Sequence, residues 1–104
     1  MTDESKAVKR LKHLLTYENL WLYVLSIIKK NKTAYAYALD EQIANVFGFR
    51  PNKIVGYIVL YKLEREGLIS SKLIERRKYY EITKKGEESL EKAREYIRML
   101  RDRL

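Results

Sequence analysis

The sequence predicts a mainly α-helical α+β fold that carries one small β-hairpin. Apolar residues recur at helical spacing through most of the 104 residues, Gly67 interrupts that spacing, and two strand-like runs follow it. The residues between the runs, Glu75 to Arg77, are charged and suit an exposed tip. Helices followed by a glycine and a basic hairpin predict a winged helix-turn-helix, here flanked by N- and C-terminal dimerisation helices.

Composition narrows the class of partner. The chain has 22 Lys and Arg against 14 Asp and Glu, a net charge of +8, which favours double-stranded DNA. The absence of Cys and the single His leave no thiolate nucleophile and no cluster of metal ligands, and no glycine-rich phosphate loop occurs. We therefore expect neither an enzyme nor a cofactor.

The sequence also bears on location. The longest apolar stretch, Leu20 to Ile28, has about nine residues, whereas roughly 20 are needed to span a bilayer. The N-terminus is charged, unlike that of a signal peptide. We expect a cytoplasmic protein that associates with the nucleoid and has no membrane partner.

Residues 1–16 are predicted to form an N-terminal helical arm. Between residues 4 and 15, Val8, Leu11, Leu14 and Leu15 recur at the spacing of one helix face, and basic residues occupy the other face. Leu11, Leu14 and Leu15 are candidate dimerisation residues. Two other interpretations stay open, a solvated terminal helix and an arm whose basic face contacts DNA.

Residues 17–83 are predicted to form the DNA-binding domain. Its first helix, from about residue 18 to residue 30, is apolar around most of its circumference and should be buried on more than one side. Trp21 on this helix is expected in the core or in a dimer interface, with the wall of a ligand pocket as the alternative. A short strand is predicted near residues 33–35.

A second helix is predicted at residues 36–47 and should end at Gly48, which tolerates left-handed backbone. Phe49 should pack back against it. The side chains expected to face inward are Leu39, Ile43, Val46 and Phe47. Pro51 keeps Arg50 extended, so a tight turn leads into the next helix.

The third helix, residues 53–66, is the predicted recognition helix, with Asn52 as its N-cap. Val59, Leu60 and Leu63 should face the core, and Ile58 should pack on a neighbouring helix. Gly56 costs about 1 kcal/mol relative to Ala, which suggests a close approach to the helix at 36–47 or to DNA. Outward-facing Ile and Tyr side chains suit a major groove, where they meet thymine methyls and phosphates.

The hairpin is predicted from strands at residues 68–74 and 78–82, with a basic wing at 70–80. Six basic and two acidic residues between Leu68 and Lys85 leave this segment a net charge of +4. The wing would lie on the DNA backbone or in the minor groove; the alternative is protection of an exposed strand edge by charge. The candidate DNA-binding residues are Arg50, Asn52, Lys53, Ile54, Tyr57, Tyr61, Lys72, Arg76, Arg77 and Lys78.

Residues 84–104 are predicted to form a C-terminal dimerisation helix that Thr83 caps. Apolar residues alternate at spacings of three and four, as in a coiled-coil seam. The alternative is that this helix folds back on its own core. The candidate dimerisation residues of the helix are Leu90, Ala93, Ile97, Leu100 and Leu104.

The chain resembles the PadR-like winged-helix transcriptional regulators. Ala36 to Leu39 resembles the Gly-Tyr-Glu-Ile that opens a helix in that family, and Tyr57 to Ile69 matches its Tyr-x-x-Leu-x-x-Leu-x-x-x-Gly-Leu-Ile pattern. Tyr79 to Gly86 resembles its Tyr-Tyr-x-Leu-Thr-x-x-Gly signature. Asn52 to Val55 departs from the family's usual Ser-Pro-Gly-Thr. The resemblance implies a dimeric DNA-binding regulator with wings splayed from a helical base.

The most direct interpretation is therefore a homodimeric transcriptional regulator. One alternative is an abundant architectural protein that coats DNA with little sequence preference, since the recognition helix has few long hydrogen-bonding side chains. Another is a winged helix that binds proteins. A small apolar effector could enter the dimer base, although nothing in the sequence indicates one.

Overall fold

The computed structural model describes residues 3–104, so Met1 and Thr2 of the predicted arm lie outside it. Residues 3–104 form five α-helices and three short strands. Single 3₁₀ turns at Tyr17–Asn19 and Ala36–Ala38 lead into α2 and α3. In chain order the elements are α1 (Lys6–Thr16), α2 (Leu20–Asn31), β1 (Ala34–Tyr35), α3 (Leu39–Phe47), α4 (Lys53–Arg65), β2 (Ile69–Ile74), β3 (Arg77–Ile82) and α5 (Lys84–Arg103). The predicted α+β winged helix is confirmed.

The helix boundaries follow from local chemistry. The Asn52 carboxamide oxygen accepts hydrogen bonds from the backbone N–H groups of Ile54 and Val55 at 2.8 and 3.3 Å, which caps α4. The Thr83 hydroxyl caps α5 by accepting from Gly86 N–H at 3.0 Å. Gly48, in left-handed backbone with φ 82°, ends α3. These predicted boundaries are confirmed.

The core is organised around α2. Its side chains Val24, Leu25 and Ile28 have no exposed surface, and the helix contacts α3, α4, α5 and β3. Leu60 of α4 and Ile69 of β2 close the same cluster. Burial of α2 on several sides was expected from its nearly continuous apolar sequence.

The sheet has the order β1–β3–β2 and is antiparallel throughout. Ile74 pairs with Arg77, so the loop of the hairpin contains only Glu75 and Arg76, and Arg77 belongs to β3. Both loop residues have positive φ, 49° and 68°, as a type I′ turn requires. Neither is the Asn or Gly that such a turn prefers, so the tip keeps charged residues at a cost in backbone strain.

Three side chains that were predicted to face inward or to pack on a neighbouring helix are exposed instead, so these predictions are wrong. Val46 and Phe47 lie in the last turn of α3, and both are exposed. Phe47 packs edge-on against Tyr23 at 4.8 Å between ring centroids. Ile58, expected against a neighbouring helix, is 48% exposed because it lies on the outer face of α4.

The two helical glycines differ in their surroundings. A methyl group at Gly86 would overlap the carbonyl oxygen of Leu68 and lie 2.8 Å from Cγ1 of Ile82, so α5 can start against β3 only with glycine there. A methyl group at Gly56 would meet no atom within 4 Å. The expected close approach of Gly56 to the neighbouring helix is therefore wrong, and its approach to DNA stays a prediction.

The terminal helices bury little. Helix α1 has no buried residue, and the buried residues of α5, Gly86 and Leu90, both lie in its first two turns. Leu90 belongs to the chain's own core, so its predicted place in a dimer seam is revised. Between residues 3 and 104, every helix is too short or too polar to cross a bilayer.

Candidate nucleic-acid interface

The outer face of α4 is unusually apolar for a surface helix. Ile54 is 68% exposed and Tyr61 is 64% exposed, and Tyr57 and Ile58 lie between them along the helix. Three of these residues, Ile54, Tyr57 and Tyr61, were predicted to contact DNA. No residue between 3 and 104 buries these side chains, so they are accessible for contacts such as those with thymine methyls in a major groove.

The leading end of α4 is held by charges. Lys53 Nζ donates a hydrogen bond to the Tyr37 carbonyl oxygen at 2.8 Å and lies 3.6 Å from Oδ1 of Asp40. Arg50 Nη1 lies 3.9 Å from Oδ2 of the same carboxylate. The side chains of both cations stay more than half exposed. The charged groups of Arg50 and Lys53 are therefore anchored at Asp40, while much of each side chain is open to solvent.

The structure divides the predicted basic residues of the wing into two groups. Lys72 forms an ion pair with Glu81, and Lys78 Nζ lies 3.5 Å from Oε1 of Glu64. Neither Arg76 nor Arg77 has a carboxylate within ion-pair distance in the part of the chain that the structure describes. The two arginines are therefore the wing cations whose charge is not already compensated.

Aromatic rings hold the base of the wing. Tyr35 stacks on Tyr37 at 4.7 Å between centroids, and Tyr79 meets Tyr35 edge-on at 5.0 Å. The guanidinium of Arg77 lies over both stacked rings, and its Nη1 donates to the Tyr37 hydroxyl at 3.4 Å. Hydrogen bonding with the neighbouring Tyr37 side chain raises the pKa of Tyr35 above its ordinary value.

Tyr37 connects two parts of the candidate interface. Its carbonyl oxygen binds Lys53 at the start of α4, and its hydroxyl binds Arg77 in β3. Sequence reasoning did not propose Tyr37 or Asp40 as site residues. The available signal was that Tyr37 is among the residues that carry the family resemblance; no sequence spacing relates position 37 to position 77.

A second link joins the wing to α4. Glu64 accepts a hydrogen bond from the Ser71 hydroxyl of β2 and pairs with Lys78 of β3. Together with Tyr37, this carboxylate fixes the hairpin against the helix at two points. The wing and α4 can therefore approach one ligand as a single rigid unit.

The remaining predicted residues lie on the terminal helices. Leu11, Leu14 and Leu15 of α1 are all exposed. So are Ile97, Leu100 and Leu104 at the far end of α5, whereas Ala93 is half-buried. No described residue of the same chain covers these side chains. Their role in dimerisation stays a prediction.

Trp21 lines a surface cavity of about 440 Å³ together with Tyr17, Val59 and Leu63. The cavity lies where α2, α4 and the start of α5 meet. The residue is half-buried and packs against the core, in agreement with the expected structural role. A small apolar ligand in this space stays the alternative to that role.

An exposed apolar helix and a basic wing fixed beside it define a winged-helix DNA-binding protein. The sequence matches the transcriptional regulator PadR-like family over residues 24–92. The chain belongs to this family, whose members are transcriptional regulators rather than enzymes. Among curated proteins, no match to the chain is found.

Solved structures agree with this assignment. A PadR family transcriptional regulator from Eggerthella lenta is 28% identical, with a TM-score of 0.79 over 92% of this chain and 87% of that one. A PadR family transcription regulator from hypervirulent Clostridium difficile is 26% identical, with a TM-score of 0.73 over 80% and 91%. A winged-helix DNA-binding protein from STIV, 18% identical with a TM-score of 0.70 over 75% and 86%, shares the fold.

Proposed function

We propose that the protein is a homodimeric transcriptional regulator that places α4 in the major groove of DNA and its wing on the backbone or in the minor groove. The observation that carries this proposal is the fixed pairing of an exposed apolar helix face with two uncompensated arginines, Arg76 and Arg77. Tyr37 and Glu64 hold the two parts together. Phosphate contacts by the arginines would release counterions and supply affinity.

The proposed function gives each part of the chain a role. Residues 17–83 would contact DNA, while the arm at 1–16 and the helix at 84–104 would join two copies. Exposure of Leu11, Leu14, Ile97 and Leu100 supports dimerisation, because apolar side chains at coiled-coil spacing gain stability when a partner covers them. Two-fold symmetry would then give a pseudo-palindromic site with half-sites about one helical turn apart.

Family membership favours a regulator over an architectural protein. Because its proposed partner is chromosomal DNA, the proposed location is the cytoplasm, in association with the nucleoid.

Selection of bound fragments from a random genomic pool, over a salt series, tests whether the protein is a regulator or an architectural protein. We expect a shared pseudo-palindrome that survives at high salt. Retention without a common sequence, lost as salt rises, would indicate an architectural protein, and no binding at low salt would indicate a protein-interaction module.

The difference between the unpaired arginines and the paired lysines of the wing allows a more specific test of DNA binding. In the proposed homodimer, replacing Arg76 and Arg77 with Ala removes four cations, so the magnitude of the slope of log K against log salt should fall by about 3.6, because each phosphate contact contributes about 0.9. Affinity for the selected fragment should fall accordingly. Filter binding or fluorescence anisotropy at several salt concentrations measures both quantities.

The matched control replaces Lys72 and Lys78 with Ala, which removes the same formal charge. Since Glu81 and Glu64 already compensate these ammonium groups, the slope should change less. Equal slopes for the two double variants would show that the ion pairs open on DNA. An unchanged slope and affinity in the Arg76 and Arg77 variant would refute the proposed function of the wing.

A further inference from the structure

Asp40 is the buried charged residue within the range 3–104, with 7% of its surface exposed. A carboxylate at a surface that binds phosphates is electrostatically unfavourable, and burial adds a desolvation cost. Its place in the first turn of α3, where the helix dipole favours negative charge, offsets part of that cost. The presence of the group at this position therefore requires an explanation.

The two cations beside Asp40 supply one. Arg50 lies in the turn between α3 and α4, and Lys53 is the first residue of α4. Each reaches one oxygen of the carboxylate, at 3.9 and 3.6 Å respectively. Lys53 also donates to the Tyr37 carbonyl oxygen, so at least one of its three N–H donors stays free.

The network extends beyond this pair. Tyr37 carries the contact from Lys53 to Arg77 in the wing, through its carbonyl oxygen on one side and its hydroxyl on the other. The buried carboxylate thus contacts cations from two elements, the turn and α4, and is connected to Arg77 of β3 only through Lys53 and Tyr37. Long cationic side chains lose considerable conformational entropy when a ligand fixes them, and this arrangement fixes them in advance.

We propose that Asp40 is a positioning residue for DNA recognition. It holds Arg50 and Lys53 in the positions that contact with one DNA sequence requires. Its negative charge weakens binding to DNA of any other sequence. The inference rests on the proposed DNA-binding function and adds a determinant of specificity to it. Asp40 itself need not touch DNA.

A role of Asp40 as a countercharge and a role as a positioning residue predict opposite effects of Asp40→Asn on DNA affinity. The substitution raises the net charge by one, which by itself should strengthen binding to every duplex. Loss of the anchor should instead weaken binding to the selected fragment by about tenfold, since two long side chains become free to rotate. Affinity for a scrambled duplex of equal length and composition should stay the same or rise. The ratio of the two affinities should therefore fall.

Glu81→Gln is the matched control, because it makes the same charge change at a partly exposed carboxylate that pairs with Lys72 alone. We expect it to leave the affinity ratio unchanged. If Asp40→Asn raises both affinities in parallel, as Glu81→Gln should, Asp40 is only a countercharge and the proposal fails.

Asp40→Glu covers the case in which Asp40→Asn does not fold. It keeps the charge and moves the carboxylate by one methylene, so a positioning role predicts a lower affinity ratio and a countercharge role predicts no change. Thermal unfolding identifies which variants are folded. If the unmodified protein binds no DNA at low salt, the proposed function and this inference are both overturned; if it binds and the ratio is insensitive to position 40, only the inference is.

Discussion

The centre of the molecule and its two ends differ in how far their apolar side chains are buried. From α2 to Leu90, large aliphatic residues such as Leu25, Ile28 and Leu60 are buried by the same chain. In α1 and in residues 91–104 no residue is buried, although leucines and isoleucines recur there at regular spacing. Contacts within the chain therefore cover the apolar residues of the centre, while no described residue of the same chain covers those of the two ends.

The difference also separates two kinds of stability. Burial in the centre contributes to the free energy of unfolding of one chain, independent of concentration. Burial at the ends would contribute through association, so it would depend on protein concentration. Substitutions in the two regions should therefore affect different measurements.

The largest expected effect is on association. Leu14→Asp or Ile97→Asp should weaken the proposed dimer about 100-fold or more, because each leucine or isoleucine contributes about 1.5–3 kcal/mol on burial and symmetry counts each one twice. Sedimentation equilibrium measures the change. Leu73→Asp is the control, since Leu73 is equally apolar and 73% exposed but lies in the wing. A monomeric unmodified protein, or a dimer unaffected by both substitutions, would contradict the prediction.

The next effect concerns the junction of centre and end. Gly86→Ala should destabilise the chain by about 3 kcal/mol, because the new methyl group overlaps the Leu68 carbonyl oxygen, which also accepts the Thr83 N–H hydrogen bond. The melting temperature should fall by roughly 10–20 °C for a domain of this size. Calorimetry checks the value. A shift of only a degree or two would mean that α5 moves away from β3 at little cost.

The smallest effect, and of opposite sign, is expected at Gly56. Gly56→Ala should stabilise the protein by about 0.5–1 kcal/mol, since α4 gains helix propensity and the methyl group meets no atom within 4 Å. Chemical denaturation measures the gain, and Gly86→Ala serves as its matched control. If the variant is also weaker on DNA, close approach to DNA explains the glycine; if stability falls, the helix packs more tightly here than the structure indicates.

Local signals in the sequence were sufficient for the elements. Asn52, Thr83, Gly48 and Gly67 occur where backbone donors or left-handed angles need them, and these signals act within a few residues. These local signals were insufficient to predict which residues at the ends of the helices are buried. Val46 and Phe47 match the apolar spacing of α3, yet both are exposed, and Phe47 packs only edge-on against Tyr23 of α2.

The candidate interface shows the same limit. Its exposed helix face and basic hairpin were predictable, because helical period and local charge are properties of neighbouring residues. The distinction between free arginines and paired lysines was not, since Lys78 meets Glu64 only after the hairpin packs on α4. Tyr37 and Asp40 are a stronger case, because the contacts that give them importance join residues up to 40 positions apart.

The sequence by itself determined the order of helices and strands, the turn residues and the basic character of the wing, since each depends on interactions over a few positions. Only the tertiary structure decided which charges are compensated, that Leu90 is core while Ile97 is surface, and that Gly86 but not Gly56 is sterically required. The physical reason is that these properties depend on distances between segments far apart in the chain, which packing alone fixes.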